Sequence, residues 1–214
     1  MKRTTLFLAI VFSIIILSGC TFNATTEDKL SALLRDLLEI ETISHNRQVE
    51  LKELEQTEQK LFNEMMALTQ AETNKVSEKL SAMQKTLKER TRKLEEEAEA
   101  MADAHALLSE FEEIETSANV IETAGIERLK QAMQHRYDMH ANFVKTYEEL
   151  TSLQKELYDL LEKRETDTTK LDLQVAAINE KNQAATNAVE KFNEATIELN
   201  KTRDELYDGL KNKK

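Results

Sequence analysis

Residues 26–68 read TEDKLSALLRDLLEIETISHNRQVELKELEQTEQKLFNEMMAL, and the fold follows from how the oily residues are spaced in that stretch. At alternating steps of three and four they are Leu30, Leu33, Leu37, Ile40, Ser44, Arg47, Leu51, Leu54, Glu58, Leu61, Met65 and Leu68, nine of the twelve apolar. This spacing lays one stripe along a helix. A stripe that keeps phase for so long predicts one continuous helix packed in coiled-coil fashion, not two helices broken at Ser44-His45-Asn46. Thr26, with Glu27 and Asp28 behind it, is the expected N-cap, placing acid at the positive end of the helix dipole.

The same rhythm recurs three more times. Val76, Leu80, Met83, Leu87, Arg90, Leu94, Glu97, Met101, Ala104, Leu108 and Phe111 carry a second segment, and the phase slips at Ile114. A third runs from Ile126 through Arg136, His140 and Gln154 to Leu161, and a fourth from Leu171 through Asn182 and Thr196 to Leu210. Turns are expected at 69–74, 116–125 and 166–169, and within the second of these Val120-Ile121 must pack against something and could form a short helical turn. No proline occurs, and only Gly125 and Gly209 follow residue 20, so the two main helix interrupters are nearly missing. The expected fold is all-α, an elongated antiparallel up-and-down four-helix bundle over residues 26–214. Helices of about 40 residues would be about 60 Å long, and short turns make neighbours antiparallel.

Polar residues interrupting the seams predict the register, because facing positions in an antiparallel hairpin share a nearly constant sum of residue numbers. Arg47 with Glu97 gives 144 and Glu58 with Arg90 gives 148, which centre the first hairpin on residues 72 to 74. Arg136 with Thr196 gives 332 and Gln154 with Asn182 gives 336, which centre the last on 166 to 168. These are expected as cross-helix polar layers that fix register at little net gain in stability.

Ahead of the helices, Lys2-Arg3 precede an uncharged run from Thr4 to Leu17, the plan of a signal peptide. The run is shorter than the ~20 apolar residues a spanning helix needs. It closes on Leu17-Ser18-Gly19-Cys20, which matches the bacterial lipoprotein signal. Resemblance to that signal implies cleavage between Gly19 and Cys20, with acyl groups, palmitate among them, on the only cysteine. Stable anchoring takes two or more acyl chains, since each buried CH₂ contributes about 0.8 kcal/mol. Segment 1–19 is therefore expected to be signal peptide, and 20–25 a lipidated cysteine with a short linker. The protein would sit on the outer face of the cell membrane, between membrane and wall.

Charge narrows the partners. The chain has 40 acidic and 29 basic residues. Removing Lys2 and Arg3 leaves 27 basic residues and a formal charge of −13. That sign argues against nucleic acid, which needs clustered positive charge, and against adsorption to anionic polymers or lipid surfaces.

From the third segment onward, Arg136-Tyr137, Lys155-Glu156-Leu157-Tyr158, Ile178-Asn179, Phe192-Asn193-Glu194-Ala195-Thr196 and Leu199-Asn200 resemble, in order, the YkyA-like cell-wall-binding lipoproteins of Gram-positive bacteria. Leu199 departs from the aromatic residue that this family often carries there. The resemblance implies an up-and-down helical bundle displayed outside the membrane, and it transfers no catalytic or binding residues.

No residue pattern announces chemistry. The chain holds no G-x-S-x-G, H-E-x-x-H or phosphate-binding glycine loop. His135 and His140 lie about 500° apart around a helix and so off a common face, unlike the four-residue spacing of metal-binding helices. Neither a metal nor a cofactor is expected. The basic run Lys85, Lys88, Arg90, Arg92, Lys93 and the acidic run Glu110, Glu112, Glu113, Glu115 read as solvated helix faces. Arg136, Tyr137 and His140, with Asn193 and Thr196 opposite, form the best candidate polar pocket or interhelical layer.

Long helices with tight turns are expected to leave no cleft. The resulting expectation is a non-enzymatic, lipid-anchored scaffold or binding module for peptidoglycan or envelope proteins. A wall hydrolase or its helper would instead need paired carboxylates in a shaped site. A solute-binding lipoprotein would need a pocket of about 300 Å³ or more.

Overall fold

A computed structural model describes residues 25–69, 71–163 and 167–211. Leu17, Ser18, Gly19, Cys20 and the linker to residue 24 lie outside the described residues, as does part of each hairpin turn. Four long helices carry the fold: α1 Thr26–Met66, α2 Thr73–Ala106, α4 Val120–Glu162 and α5 Thr168–Lys211. Between α2 and α4 the chain makes a 3-10 turn, Leu107–Glu110, and a short helix α3, Phe111–Ser117. No strand occurs among the described residues.

The unbroken stripe of residues 30 to 65 lies on one helix, α1, and Leu30, Leu33, Leu37, Leu51 and Met65 are buried along it. Its N-cap is Thr25, one residue before the expected Thr26. Thr25 Oγ1 accepts from the Asp28 amide at 3.1 Å, and the Asp28 carboxylate accepts from the Thr25 amide at 3.0 Å, a reciprocal capping box.

The expected turn over 116–125 shrinks to Ala118 and Asn119. Asn119 Oδ1 accepts from the amides of Ile121 and Glu122, each at 3.1 Å, and so starts α4 six residues ahead of Ile126. Gly125 therefore lies inside a helix. A Cβ there would come within 2.7 Å of Leu206 Cδ1, so the glycine serves the close approach of α5. The second segment, expected to continue to Phe111, ends at Ala106. The slip at Ile114 follows because the 3-10 turn and α3 rotate Phe111 and Ile114 inward, where both are buried.

α1 packs on α2, α4 on α5, and the two hairpins join through α2 and α4. The core has two parts. Near the Thr25 end, Leu30, Leu33, Phe111, Ile126, Leu129 and Leu206 belong to one cluster. Toward the hairpin turns, Leu51, Met83, Leu94, Phe143, Leu150 and Ile178 belong to the other. Buried Ser44, Glu97, Arg136 and His140 lie where the two meet.

Candidate functional site

α1 and α5 do not close against each other along their length. At the base Ser31 Oγ and Tyr207 Oη are 3.1 Å apart. Farther along, the two helices frame a groove of about 710 Å³, which overturns the expectation of no cleft. Tight turns constrain the partners within each hairpin, and nothing obliges the two outer helices to meet.

One wall is the α1 stripe Gln48, Lys52, Glu55, Gln59 and Phe62, and the other is the α5 stripe Val175, Asn179, Asn182, Thr186, Val189 and Asn193. At 1.5 Å per residue the groove runs from about 33 to about 54 Å along α1 from Thr26. Its floor is apolar, with Leu51, Phe143, Leu150, Leu157, Ile178 and Phe192, crossed by one polar girdle.

The girdle is built on Arg90, 3% exposed. Its Nη1 donates to Glu58 Oε2 at 2.6 Å and to Gln154 Oε1 at 3.2 Å, and its Nε donates to Tyr147 Oη at 3.0 Å. Tyr158 donates to the other Glu58 oxygen, and Tyr147 donates to Glu55. Burial works against the charge on Arg90, but the neighbouring Tyr147 and Glu58 outweigh it and hold its pKa above the ordinary value. Burial, reinforced by Glu55 and Glu58, pushes the phenols of Tyr147 and Tyr158 well above the usual tyrosine range, so both remain donors. Glu55 and Glu58, the carboxylates of the groove, are thus both held in internal bonds.

Of the remaining predicted residues, all but Asn182 and Asn193 fall into a second layer nearer the base, and here the pairing differs from expectation. Arg47 does not meet Glu97. Its Nη1 donates to Glu50 at 2.7 Å, and its Nε lies 2.7 Å from Glu96 Oε2 without hydrogen-bond alignment. One residue of helical rotation separates Glu96, which points out toward α1's flank, from Glu97, which is fully buried. Glu97 Oε1 instead takes contacts from Ser44 at 3.3 Å, Gln48 at 2.6 Å and His140 Nε2 at 2.9 Å.

The expected cluster of Arg136, Tyr137, His140, Asn193 and Thr196 also divides. Arg136 Nε donates to Thr196 Oγ1 at 3.0 Å and Arg136 Nη1 to Glu41 at 2.7 Å, while Tyr137 donates to the same Glu41 oxygen at 2.8 Å. Burial, then Glu41, raises the Tyr137 phenol above its usual range. His140 turns to Glu97 and packs edge-on to Phe192, their centroids 5.3 Å apart. Asn193 sits apart in the groove wall, where Asn182 also lies across from α1 instead of pairing with Gln154. Among the described residues no cluster of three His, Cys, Asp or Glu side chains is placed to hold a metal, and no helix is long and apolar enough to cross a membrane.

Sequence reasoning missed the groove because it assigned one seam per helix to a closed core. The seam from Leu171 to Leu210 includes Val175, Asn182 and Val189 by its three-four spacing, yet Val175 is 43% and Val189 37% exposed. The usable signal was the uncharged run of Asn and Thr at three-four spacing on α5, which a solvated face would have filled with charge.

Two long helical hairpins joined along one side and open along the other define an all-helical protein with a ligand-sized trough. The chain belongs to the YkyA family, described as "putative cell-wall binding lipoprotein", which it matches over residues 25–209. It is 30% identical over 199 residues to the uncharacterized lipoprotein YkyA of Bacillus subtilis (strain 168), covering 91% of this chain and 87% of that protein. The fold is shared with a conserved protein of unknown function from Staphylococcus aureus, at a TM-score of 0.75 and 15% identity, over 89% of this chain and 98% of that one.

Proposed function

We infer that this is a lipid-anchored envelope protein that binds the cell wall through the groove between α1 and α5. The observation that carries the reading is where the groove sits. It occupies the half of the bundle remote from Thr25, so acyl chains on Cys20, five residues earlier, would hold the base at the outer leaflet and turn the groove toward the wall. Leu17-Ser18-Gly19 would be the signal that exposes Cys20 for acylation. The membrane-proximal half then serves as a spacer, and the partner is met by helical faces.

Binding, as opposed to hydrolysis, is supported by the state of the two groove carboxylates. Glu58 is bonded to Arg90 and Tyr158, and Glu55 takes the Tyr147 proton donor. A glycosidase needs one carboxyl free to donate a proton and a second free to act as base or nucleophile.

Two measurements test the reading. The full chain in detergent, mixed with purified wall sacculi, sediments with them and releases no soluble fragments; a chain left in the supernatant, or release of fragments, overturns it. For the anchor, a Cys20→Ala chain loses fatty-acid label and membrane partitioning, and label retained on that variant would exclude Cys20 as the acylated residue.

A further inference from the structure

We propose that the groove holds an uncharged glycan whose sugars carry acetamido groups, gripped by side-chain amides on both walls. This rests on the wall-binding reading above and names the wall component.

The first support is an absence of charge where charge is expected. Charged residues make up 32% of the chain, yet Val175, Asn179, Asn182, Thr186, Val189 and Asn193 form an exposed stripe without a single one. The neighbouring charges Glu180, Lys181 and Lys191 fall on other faces of α5, and Glu190 borders the stripe on its solvent side. An outward helix face is ordinarily where charge collects. Opposite this stripe stand Gln48 and Gln59 on α1, whose Nε2 atoms each give one hydrogen bond within the protein, to Glu97 and to Asn63, and keep a second N–H and the carbonyl oxygen. Lys52 is accompanied by Glu55 one turn on, and Arg90 is committed to Glu58 and Tyr147. The trough therefore offers no net positive charge to a polyanion and no net negative charge to a cation.

The second support is the chemistry of the amide itself. Each Asn or Gln side chain presents one acceptor and two donors, which is the complement of another amide. An acetamido group supplies that partner at every sugar that bears one, and the exposed flanks of Val175 and Val189 suit the C–H faces of the rings. An inserted helix fits less well, because its backbone groups are already paired within it and the wall amides would be buried without partners. Once cleaved before Cys20, the N-terminal tail would not reach. Five residues from Cys20 to Thr25 extend at most about 18 Å, and the groove begins about 33 Å along α1.

The test uses the full chain in detergent and measures affinity for linear oligomers by calorimetry. A tetramer of N-acetylglucosamine binds, and a glucose tetramer of the same linkage, lacking only the acetamido groups, binds about tenfold more weakly or worse. The double variant Asn179→Ala/Asn182→Ala loses about tenfold in affinity for the N-acetylated tetramer while its circular dichroism and thermal midpoint stay unchanged, since both positions are exposed.

Equal binding of the two tetramers, an unaffected double variant, or displacement by an uncharged end-capped peptide at the same potency overturns the proposal. If sacculi sediment the chain but the N-acetylated tetramer does not bind, the glycan assignment fails and wall binding stands. If the tetramer binds with the stated sensitivity but sacculi do not sediment the chain, the groove assignment stands and the wall reading fails.

Discussion

The two halves of this bundle share helices but not their means of cohesion. At the base, Phe111 and Ile114 from α3 and Leu108 from the 3-10 turn fill the space between hairpins, all 5% exposed or less, and α1 reaches α5 through Ser31 and Tyr207. Toward the turns the described residues supply no such plug. There α1 and α5 stand apart, and the polar girdle around Arg90 ties α1 to α2 and α4 beneath the gap. A helix seam therefore does not specify closure by itself. An inserted element closes one end, and leaving it out of the other makes a site.

The sharpest way to break this contrast is to remove the plug. Phe111→Ala deletes a fully buried ring and should cost about 3–5 kcal/mol by chemical denaturation, whereas Val189→Ala on the groove wall should cost less than about 1 kcal/mol. Similar losses at both positions would mean that α3 is not what consolidates the base.

Next in size is the girdle. Arg90→Met strands Glu58, 5% exposed, with Tyr158 as its remaining bond, and breaking a buried pair from one side costs about 3 kcal/mol or more. Adding Glu58→Met should restore most of the loss, because no unpaired charge then remains. A double variant no better than the single would show that packing of the arginine stem, not charge compensation, holds the open half together.

These contrasts also mark how far the residues alone could be followed. Helix number, order and hairpin register were legible because leucines at steps of three and four have few other structural meanings, and Glu58 with Arg90 was found from residue numbers. Glu97 was legible as a buried polar position but not its partners: Arg47 lay within one residue of the right spacing, and the choice between Glu96 and Glu97 depends on helix rotation. The turn before α4 was overestimated because Gly125 was taken for a turn residue, when its use is contact with Leu206. The groove stayed hidden because the stripe containing Asn182 and Val189 has the spacing of a core seam whether or not a partner covers it.

Glycines probe the same contrast more gently. Gly209 has nothing within 4 Å of an added Cβ, so Gly209→Ala should stabilise by up to about 1 kcal/mol through helix propensity. Gly125→Ala gains the same propensity but must push Leu206, 7% exposed, out of the base core. Its net effect should fall at least about 1 kcal/mol below that of Gly209→Ala. Equal gains at both sites would mean that the base is looser than its packing indicates.

The smallest effect should appear on acidification, and it should begin in the open half. Besides the arginine pairs, three lysine pairs tie helices together there: Lys79 with Glu64 and Lys93 with Glu50 between α1 and α2, and Lys181 with Glu149 between α4 and α5. In each, the lysine hydrogen bond is the main cause that lowers the glutamate below its ordinary 4.5. A carboxyl whose folded pKa is depressed contributes stability above its unfolded value and loses it as pH falls through the folded one. The loss should therefore start near pH 4.5 and continue below it. All three carboxyls are solvent-accessible, so the change is modest and salt weakens it further. Hydrogen exchange followed from neutral pH to below pH 4 should show protection falling first in residues 50–80 and 145–181, before the segments packed on Phe111. Protection lost first around Phe111, or at both ends together, would show that these pairs do not set the order in which the bundle opens.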